Sequence, residues 1–540
     1  MALEDQALSA LAPSSKQKRA SKPKVRTGCT TCKCTRTGRI CDGYGTPKST
    51  ALFRALAPAP AIDDTREPHA LEFFFVKTAP QLAGYFGGAF FQGSVLQLSL
   101  AEPAIRQAIA AIGILHESTA TGKWASKGNS PPNVHIQLYN RSIRTIINKV
   151  VAGPNASPVI ATTNVLFTCF EIFQGNVAAA ATHITAGINL LQAWRAKHGG
   201  PITAWGRRYT SFESHFMETE IAPLLSLFNI NAVECAGGSR SKFLLNPVDE
   251  RGVLLLATRF ETLAEARIGL IDMITDATCI CDGLDDGRIH RPLTDIDAVV
   301  LSQSVQRNLE RWQANVDELI RRQKHTWDRK EQQVADVISI IRLATKFGVR
   351  AYEAEAECEW DAHRAEYEDL IRSADAIISD RVRFPDDLSR TINLDFGMIF
   401  PLHAVAWKCR WPRLRRQGLD LLQRIPKREW LFEAGHYHAI FTRIMEIEEA
   451  ECGLPLGVRP GDDWLPPEHV RIRDFLVAAQ ATPPGEIPTY AVTFFSKPHG
   501  PDGPLESFTE QMRLGSSQGV KAAVPTNMIG RRLERGSCPH

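Results

Sequence analysis

From Leu71 onward, apolar residues recur at the three- and four-residue spacing of helix faces, with little of the alternation typical of strands. In AEPAIRQAIAAIGILHES, Pro103 suits a first helical turn. The same segment places one apolar stripe on one predicted buried face: Ile105, Ala108, Ile109, Ile112 and Leu115. In AATHITAGINLLQAW the stripe comprises Ile184, Ile188 and Leu191, and HGG then ends the helix. Because helical periodicity continues through successive segments, the sequence predicts an all-α fold. No repeat of fixed period is present.

Further helices are predicted over VLLLATRFETLAEARIGLIDMI, VQRNLERWQANVDELIRRQ, QQVADVISIIRLATKFGVRAYEAEAE and HAIFTRIMEIEEAE. Loops are predicted at GKWASKGNSPPN, CAGGSRS and DGLDDGRIHRPL. Beyond Glu451 the Pro and Gly content rises, which favours a loosely packed extension with a disordered end.

Composition excludes several classes of protein. The chain has 540 residues, 44% hydrophobic and 23% charged, which matches globular averages and allows a large core. No apolar run reaches the roughly 20 residues that a membrane helix needs, and the N-terminus lacks the apolar segment of a signal peptide. We therefore expect no contact with a membrane, and a location in the cytosol or nucleus.

Charge divides the chain into two unequal parts. Residues 1–54 contain eleven Lys or Arg and three acidic residues, a net charge of +8, whereas the whole chain carries +3. The remainder is therefore −5. A basic arm on an acidic body favours a polyanionic partner for the arm alone. The alternative is a solvated tail.

These features divide the chain into five predicted regions. A disordered basic arm (1–26) contains SKQKRASKPKVR, which is typical of a nuclear-import signal and a phosphate-binding strip. A cysteine segment (27–46), a Pro/Ala linker (47–70), a helical domain (71–455) and a Pro/Gly-rich, partly disordered extension (456–540) follow.

Four of the twelve cysteines are clustered, at Cys29, Cys32, Cys34 and Cys41. Two residues between Cys29 and Cys32 let both thiolates turn toward one tetrahedral zinc ion. The other cysteines are scattered in apolar or helical contexts, where a free buried thiol is the ordinary interpretation. The clustered four are candidate metal ligands.

The segment VRTGCTTC, followed by CTRTGRICDGYG, resembles the two ends of the fungal binuclear zinc-cluster (Zn2Cys6) transcription factors. That family's pattern needs roughly 15 residues or more between its second and fifth cysteines, whereas Lys33 alone separates Cys32 from Cys34 here. The third and fourth cysteines of the pattern are missing. Four thiolates complete one tetrahedral Zn2+ site at most, whereas the family holds two zinc ions.

The resemblance implies a zinc-folded module that contacts double-stranded DNA. On this basis the zinc ligands would be Cys29, Cys32, Cys34 and Cys41. The phosphate or base contacts would be Lys24, Arg26, Lys33, Arg36 and Arg39.

Three explanations for the missing middle remain open. The translated sequence omits a short coding segment between Lys33 and Cys34, or a real deletion has left a regulator without specific DNA recognition. The third is a rebuilt single-zinc knuckle that uses all four cysteines, although Cys32 and Cys34 tend to point in different directions.

The helical part extends the resemblance. LEFFFVKTAPQLAGYF, VLQLSLAEPAIRQAIAAIGILHE, LYNRSIRTIINKV, VLFTCFEIFQGNVAAAATHITAGINLLQAW and FPLHAVAWKCRWPRLRRQGLDLL resemble, in this order, blocks of the same family's helical regulatory domain. They span about Leu71 to Cys452, with a poorly matching middle from about Ile202 to Ser389.

Some polar residues within the helical segments invite a functional interpretation. His116 and His183 are expected to be packed, hydrogen-bonded core histidines rather than metal ligands. Glu171 and Gln174 suit either an internal hydrogen bond or the lining of a small-molecule pocket.

Two charged blocks have plainer interpretations. In WKCRWPRLRR (407–416), Pro412 is expected to separate two helices whose arginines pair with acidic surface groups, with nucleic-acid binding as the alternative. IMEIEEAEC is expected to be a solvated acidic face.

The sequence lacks the nucleophile elbow, P-loop, zinc-protease and dinucleotide-binding motifs, so we expect no enzyme. The resemblance implies a nuclear, sequence-specific regulator of RNA polymerase II transcription, with co-regulator proteins or the transcription machinery as further partners. Whether it forms a homodimer is left open. The alternative is a nuclear regulator without specific DNA binding, whose helical domain binds a partner or a small molecule.

Overall fold

The structure is a computed structural model that describes residues 66–121, 134–152, 157–198, 211–236, 243–248, 254–285, 296–350, 354–383, 392–425, 428–430, 432–479 and 489–514. Helices dominate these residues, which confirms the predicted all-α class. Within the described part, no helix is both long enough and apolar enough to cross a membrane.

The first half of the described chain is a succession of packed helices. They are α1 (Arg66–Phe73), α2 (Ala79–Ala83), α3 (Val95–Ala101), α4 (Pro103–Thr121), α5 (Val134–Ala152), α6 (Ser157–Gln174), α7 (Val177–His198), α8 (Phe212–Phe216) and α9 (Ala222–Ala236). Both predicted stripes are confirmed, because each of their residues is buried along α4 or α7. Pro103 begins α4 as predicted, where its missing N–H costs no helical hydrogen bond.

The second half contains longer helices and a second group of core side chains. These helices are α10 (Leu263–Asp285), α11 (Ile296–Gln323), α12 (Arg329–Arg350), α13 (Arg364–Arg383), α14 (Ile399–Lys408), α15 (Pro412–Arg424) and α16 (Ala434–Glu451). Trp312 on α11 is fully buried, and its indole N–H donates to the carbonyl of Ala266 on α10 at 2.7 Å. This bond removes the cost of burying the indole nitrogen between two helices.

Two small sheets accompany the helices. In the first, β1 (Ile392–Asn393) pairs in parallel with β2 (Arg428–Glu429), which pairs antiparallel with β3 (Phe432–Glu433). The second is an antiparallel meander of β4 (Ile472–Ala479), β5 (Thr489–Ser496) and β6 (Glu506–Arg513).

The second sheet is the main departure from the sequence-based expectation, since residues beyond Glu451 were predicted to pack loosely. One face of β5 is buried through Tyr490, Val492 and Phe494. Phe475 on β4 is fully buried, with its ring 5.7 Å from that of Phe441 on α16. The apolar face of the sheet therefore extends the helical core.

Two helix boundaries also differ from the expected ones. The predicted linker extended to Ala70, but α1 already begins at Arg66. The segment VLLLATRFET was predicted to be helical, but α10 begins only at Leu263, and Leu254 instead forms an isolated antiparallel bridge with Val248. Residues 243–248 are held against α10 because the Asp272 carboxylate accepts the backbone N–H groups of Leu245 and Asn246.

Candidate functional site around Trp430

The sequence-predicted site lies outside the described residues. This holds for all of its candidate ligands and contacts: Lys24, Arg26, Cys29, Cys32, Lys33, Cys34, Arg36, Arg39 and Cys41. No structural statement about zinc or DNA binding by these residues follows. The functional features described below belong to the helical body.

The helical body contains a partly open cavity of about 130 Å³. Its walls come from α9, α10, α12, α14 and α16, from the turn before α14, and from β2, β3 and the residue Trp430 between them. Most of the lining is apolar, with several aromatic rings. A concave, apolar site with a few polar groups is the usual form of a small-molecule pocket. We name this space, with its lining residues, the Trp430 cavity.

One wall of the cavity is the N-terminus of α14. Glu429 on β2 is buried, and its two carboxylate oxygens accept the N–H groups of Met398 and Ile399 at 2.7 and 2.8 Å. These bonds satisfy helix N–H groups that have no partner within the helix, and the negative charge suits the helix dipole. Gly397 makes room for the contact, since a Cβ there would lie 2.0 Å from Glu429 Cδ.

Trp430 forms the next part of the wall in an unusual backbone conformation. Among the described residues it is the one non-glycine residue with positive φ, at 59°. Its backbone N–H donates to the carbonyl of Asn393 at 2.8 Å, and its indole N–H donates to the carbonyl of Leu394 at 3.1 Å. The ring packs edge-on against Phe228 of α9. A backbone conformation of this kind persists only where neighbouring groups hold it. Here the two hydrogen bonds and the contact with Phe228 fix the indole at the cavity.

Asp395 brings a buried carboxylate to the cavity. Its Oδ1 accepts from Arg267 Nη2 at 2.8 Å and from the N–H of Phe396 at 2.7 Å. Its Oδ2 is buried and has no hydrogen-bond donor among the described residues. An unmade hydrogen bond on a buried charged oxygen is costly, so this atom is an acceptor available to a bound molecule or a water.

His403 on α14 brings a neutral imidazole to the same cavity. Burial, with a further contribution from the Lys408 charge, lowers the pKa of His403 to about 3. The ring contacts Trp407, Tyr437 and Phe441 edge-on or tilted, and no described residue hydrogen-bonds its nitrogens. A neutral imidazole offers one N–H donor and one acceptor.

A second group of buried polar side chains lies where α14, α15 and α16 meet the second sheet. We name this group the Glu448 cluster, and its members are Glu357, Lys408, Arg410, Arg415 and Glu448. Arg410 Nη2 lies 2.9 Å from Glu448 Oε1, and Arg415 Nη1 lies 2.5 Å from Glu448 Oε2. Glu357 pairs with Lys408 at 2.7 Å and with Arg410 at 3.1 Å.

The cluster also bonds to the first strand of the second sheet. Glu448 Oε1 accepts the N–H of Ile472, and Arg410 Nη2 donates to the carbonyl of the same residue, both at 2.9 Å. Burial opposes ionisation of Glu448, but the Arg410 and Arg415 charges outweigh it and lower the pKa to about 2. Glu448 is therefore an anion that two arginines hold in the interior.

This arrangement decides between the interpretations of WKCRWPRLRR. α14 ends at Lys408 and α15 begins at Pro412, so the predicted separation of two helices is confirmed. The arginines do pair with acidic groups, but Arg410 and Arg415 pair in the interior rather than at the surface. The solvated-face interpretation of IMEIEEAEC is wrong for Glu448, which is fully buried.

The outer arginines of α15 border a groove of about 750 Å³ between α13 and α15. Arg413, Arg416 and Arg424 each lie within ion-pair distance of an acidic side chain there or nearby. The lining of the groove contains both cationic and acidic side chains, and the arginines named here are paired with acidic groups.

The remaining singled-out residues have structural roles. His116 is buried, its Nδ1 lies 2.9 Å from Thr78 Oγ1, and burial lowers its pKa to about 4. His183 Nε2 lies 2.9 Å from the Tyr139 hydroxyl. Glu171 accepts from Asn176 Nδ2 at 3.0 Å. The packed-histidine interpretation is confirmed for His116, whereas His183 is hydrogen-bonded but only half-buried. Glu171 makes the predicted internal hydrogen bond.

In the described part of the chain, no three His, Cys, Asp or Glu side chains are grouped closely enough to hold a metal ion. Cys169 and Cys409 are buried free thiols, as expected, whereas Cys358 is exposed. The sequence did not predict the Trp430 cavity, because its lining residues are scattered between Leu227 and Tyr437 and form no local sequence pattern. One local signal was available: Asp395 and Gly397 are a polar and a small residue within the largely apolar segment LDFGMIF.

Comparison with known proteins supports the class of fungal transcription regulators for this chain. One similar protein is the Aspercryptin biosynthesis cluster-specific transcription regulator atnN of Emericella nidulans. The two chains are 24% identical over 598 residues, which cover 84% of this chain and 92% of the relative. The chain matches no protein-family model. No solved structure matches it either.

Proposed function

We propose that this protein is a nuclear regulator of RNA polymerase II transcription that binds double-stranded DNA through its cysteine segment. The observation that carries the proposal is the similarity to a cluster-specific transcription regulator along most of both chains. The VRTGC and CTRTGRIC motifs and the +8 arm support a DNA-binding role for residues 27–46. The helical body then serves regulation and contacts with co-regulator proteins.

The donor set suits one zinc ion. Thiolates are preferred zinc ligands, and Cys29, Cys32, Cys34 and Cys41 would provide four of them. When bound, zinc supplies the cross-link that so short a segment needs to fold. Lys24, Arg26, Lys33, Arg36 and Arg39 would then neutralise DNA phosphates or donate to base edges.

A second candidate function is a regulator without specific DNA recognition, whose helical body binds a small molecule or a partner. The Trp430 cavity favours this candidate, because a concave, mostly apolar space with a few polar groups is the usual form of a small-molecule site. The shortened cysteine segment favours it too, since most of the basic helix that the family inserts into the major groove is missing.

The decisive experiment measures zinc content and duplex binding of the 540-residue chain. We expect about one zinc per chain, and a selected duplex bound at least about 1000-fold more tightly than random duplexes. Equal binding to every duplex, lost steeply as salt increases, would instead support the second candidate.

Cys29→Ser tests the ligand assignment, with the exposed Cys358→Ser as the matched control. We expect the first variant to lose zinc and selective binding and the second to keep both. Zinc retained equally by the two variants would refute the assignment.

The transcript across the codons for Lys33 and Cys34 distinguishes the explanations of the missing middle. An additional in-frame segment with two cysteines and a basic run would restore the complete pattern. A transcript that encodes the sequence as it stands would leave a one-zinc knuckle or the second candidate.

A further inference from the structure

We propose that the Trp430 cavity is a binding site for a small, neutral aromatic molecule that carries one O–H or N–H donor, such as a phenol or an indole. The inference rests on the second candidate function, and names the chemistry that the helical body would recognise. It does not depend on DNA binding by residues 27–46.

The size of the cavity sets the size of the ligand. A cavity of about 130 Å³ is close to the roughly 150 Å³ of an engineered apolar cavity that binds benzene. One aromatic ring, or a compact pair of fused rings, therefore suits the space. Asn231, Gly348 and Phe400 line the cavity and are partly exposed, which provides a short path from solvent.

The wall chemistry favours an aromatic ligand. Phe396, Phe400, Trp430, Phe432 and Tyr437 line the cavity. Aromatic rings pack edge-on or offset against one another with a preference beyond their buried area. Hydrogen bonds hold both the backbone and the indole of Trp430, so this surface is rigid before a ligand arrives. Such preorganisation lowers the entropic cost of binding.

Two polar groups define the hydrogen bonds that the ligand would make. Within the described part of the chain, Asp395 Oδ2 is a buried acceptor without a donor, and the His403 imidazole makes no hydrogen bond. A ligand O–H or N–H satisfies Asp395, and a phenolic oxygen can also accept from the imidazole N–H. A site with buried unpaired polar groups rejects analogues that lack the matching group.

The surrounding charges favour a neutral molecule. Asp395 and Glu429 are both carboxylates at the cavity, so an anion would meet like charge. A cation would lose its hydration without gaining a free countercharge, because Arg267 already neutralises Asp395 at 2.8 Å. A neutral donor avoids both costs.

The test measures the binding of phenol, indole and benzene to the whole chain by calorimetry and by the shift in melting temperature. Benzene is the matched probe, because it fills the space of a phenol ring without a donor. We expect phenol and indole to raise the melting temperature, and benzene to bind about tenfold more weakly because the hydrogen bond to Asp395 is missing.

Gly348→Leu blocks the site with little disturbance of the fold. A Cβ at Gly348 on α12 meets no atom within 4 Å, and the residue lines the cavity. Gly435→Leu is the matched control, since Gly435 is also helical with open space around its Cβ but does not line the cavity. We expect phenol binding to weaken at least tenfold in the first variant and to stay unchanged in the second.

His403→Phe then tests the polar contact, because it keeps an aromatic ring and removes both nitrogens. We expect weaker phenol binding and unchanged or tighter benzene binding. The proposal is overturned if neither phenol nor indole stabilises the chain, or if Gly348→Leu and Gly435→Leu bind phenol equally. Parallel duplex-binding measurements keep such a failure distinct from a failure of the DNA-binding proposal.

Discussion

The Glu448 cluster and the Trp430 cavity both bury charged side chains in one helical body, but they differ in how these charges are paired. In the cluster every charged side chain lies within 3.1 Å of an opposite charge, although Glu357 Oε2 and Arg415 Nη2 make no hydrogen bond within the described part of the chain. At the cavity Asp395 pairs with Arg267 through one oxygen, whereas its other oxygen has no donor among the residues that the structure describes. The cluster joins α14, α15 and α16 to the second sheet, whereas the cavity leaves a buried acceptor that a bound molecule could use.

The largest expected effect comes from removing the central anion of the cluster. Glu448→Gln leaves Arg410 and Arg415 buried with insufficient countercharge, and we expect a loss of about 3–5 kcal/mol in the free energy of unfolding, measured with urea. Glu446→Gln on the same helix breaks the partly exposed pair with Arg443 and should cost less than about 1 kcal/mol. Equal losses would show that the cluster contributes no more than a surface pair.

The cavity wall has its own sensitive position at Gly397. Gly397→Ala places a Cβ on Glu429 and displaces the carboxylate that caps α14, so we expect a loss of about 2–3 kcal/mol in the free energy of unfolding. Gly435→Ala provides a control with open space. A fully stable Gly397→Ala variant would mean that the wall adjusts easily and that the cavity is not preorganised.

Acid should destabilise the two regions over different pH ranges. Folded His403 has a pKa of about 3 against 6.5 when unfolded, so the unfolded chain gains the proton first and stability falls below pH 6.5. The pKa of Glu448 is about 2 against 4.5, so its contribution is lost between these values.

The free energy of unfolding should decrease between about pH 8 and about pH 5, and in His403→Phe this decrease should be smaller by about 1–2 kcal/mol. Chemical denaturation at the two pH values measures it. An unchanged pH slope would contradict the buried, neutral state of this imidazole.

The smallest effect is a gain. Gly348→Ala adds a Cβ into open space on α12 and should stabilise the chain by about 0.5–1 kcal/mol, because alanine has the higher helix propensity. Thermal unfolding would detect the increase. A destabilised variant would show that the space at Gly348 is smaller than the structure indicates.

Local patterns in the sequence predicted the fold class, because helix formation leaves a three- and four-residue periodicity. The stripes on α4 and α7 and the break at Pro412 followed from neighbouring residues alone. The second sheet was missed, although the alternation of Tyr490, Val492 and Phe494 was a readable signal. The frequent Pro and Gly around this strand suggested loose packing instead.

The two buried regions could not be predicted in the same way. Glu448 stands among acidic residues that are partly or fully exposed, and its burial depends on Arg410 and Ile472, which lie far away in the sequence. The Trp430 cavity likewise requires residues from Leu227 to Tyr437 to meet. Burial of this kind is a property of tertiary packing, which periodicity does not encode.

The bonds between the Glu448 cluster and Ile472 have a consequence for biosynthesis. Besides the bond from Arg410 to the Lys408 carbonyl, Arg410 and Glu448 bond to the backbone of Ile472, in a strand that is translated after α1 to α16. Domains begin to fold while the ribosome is still adding residues. The helical body therefore lacks the hydrogen bonds to Ile472 until that strand has been synthesised. We expect truncated chains that end before Ile472 to depend on chaperones, since the last strand completes the interior of the protein.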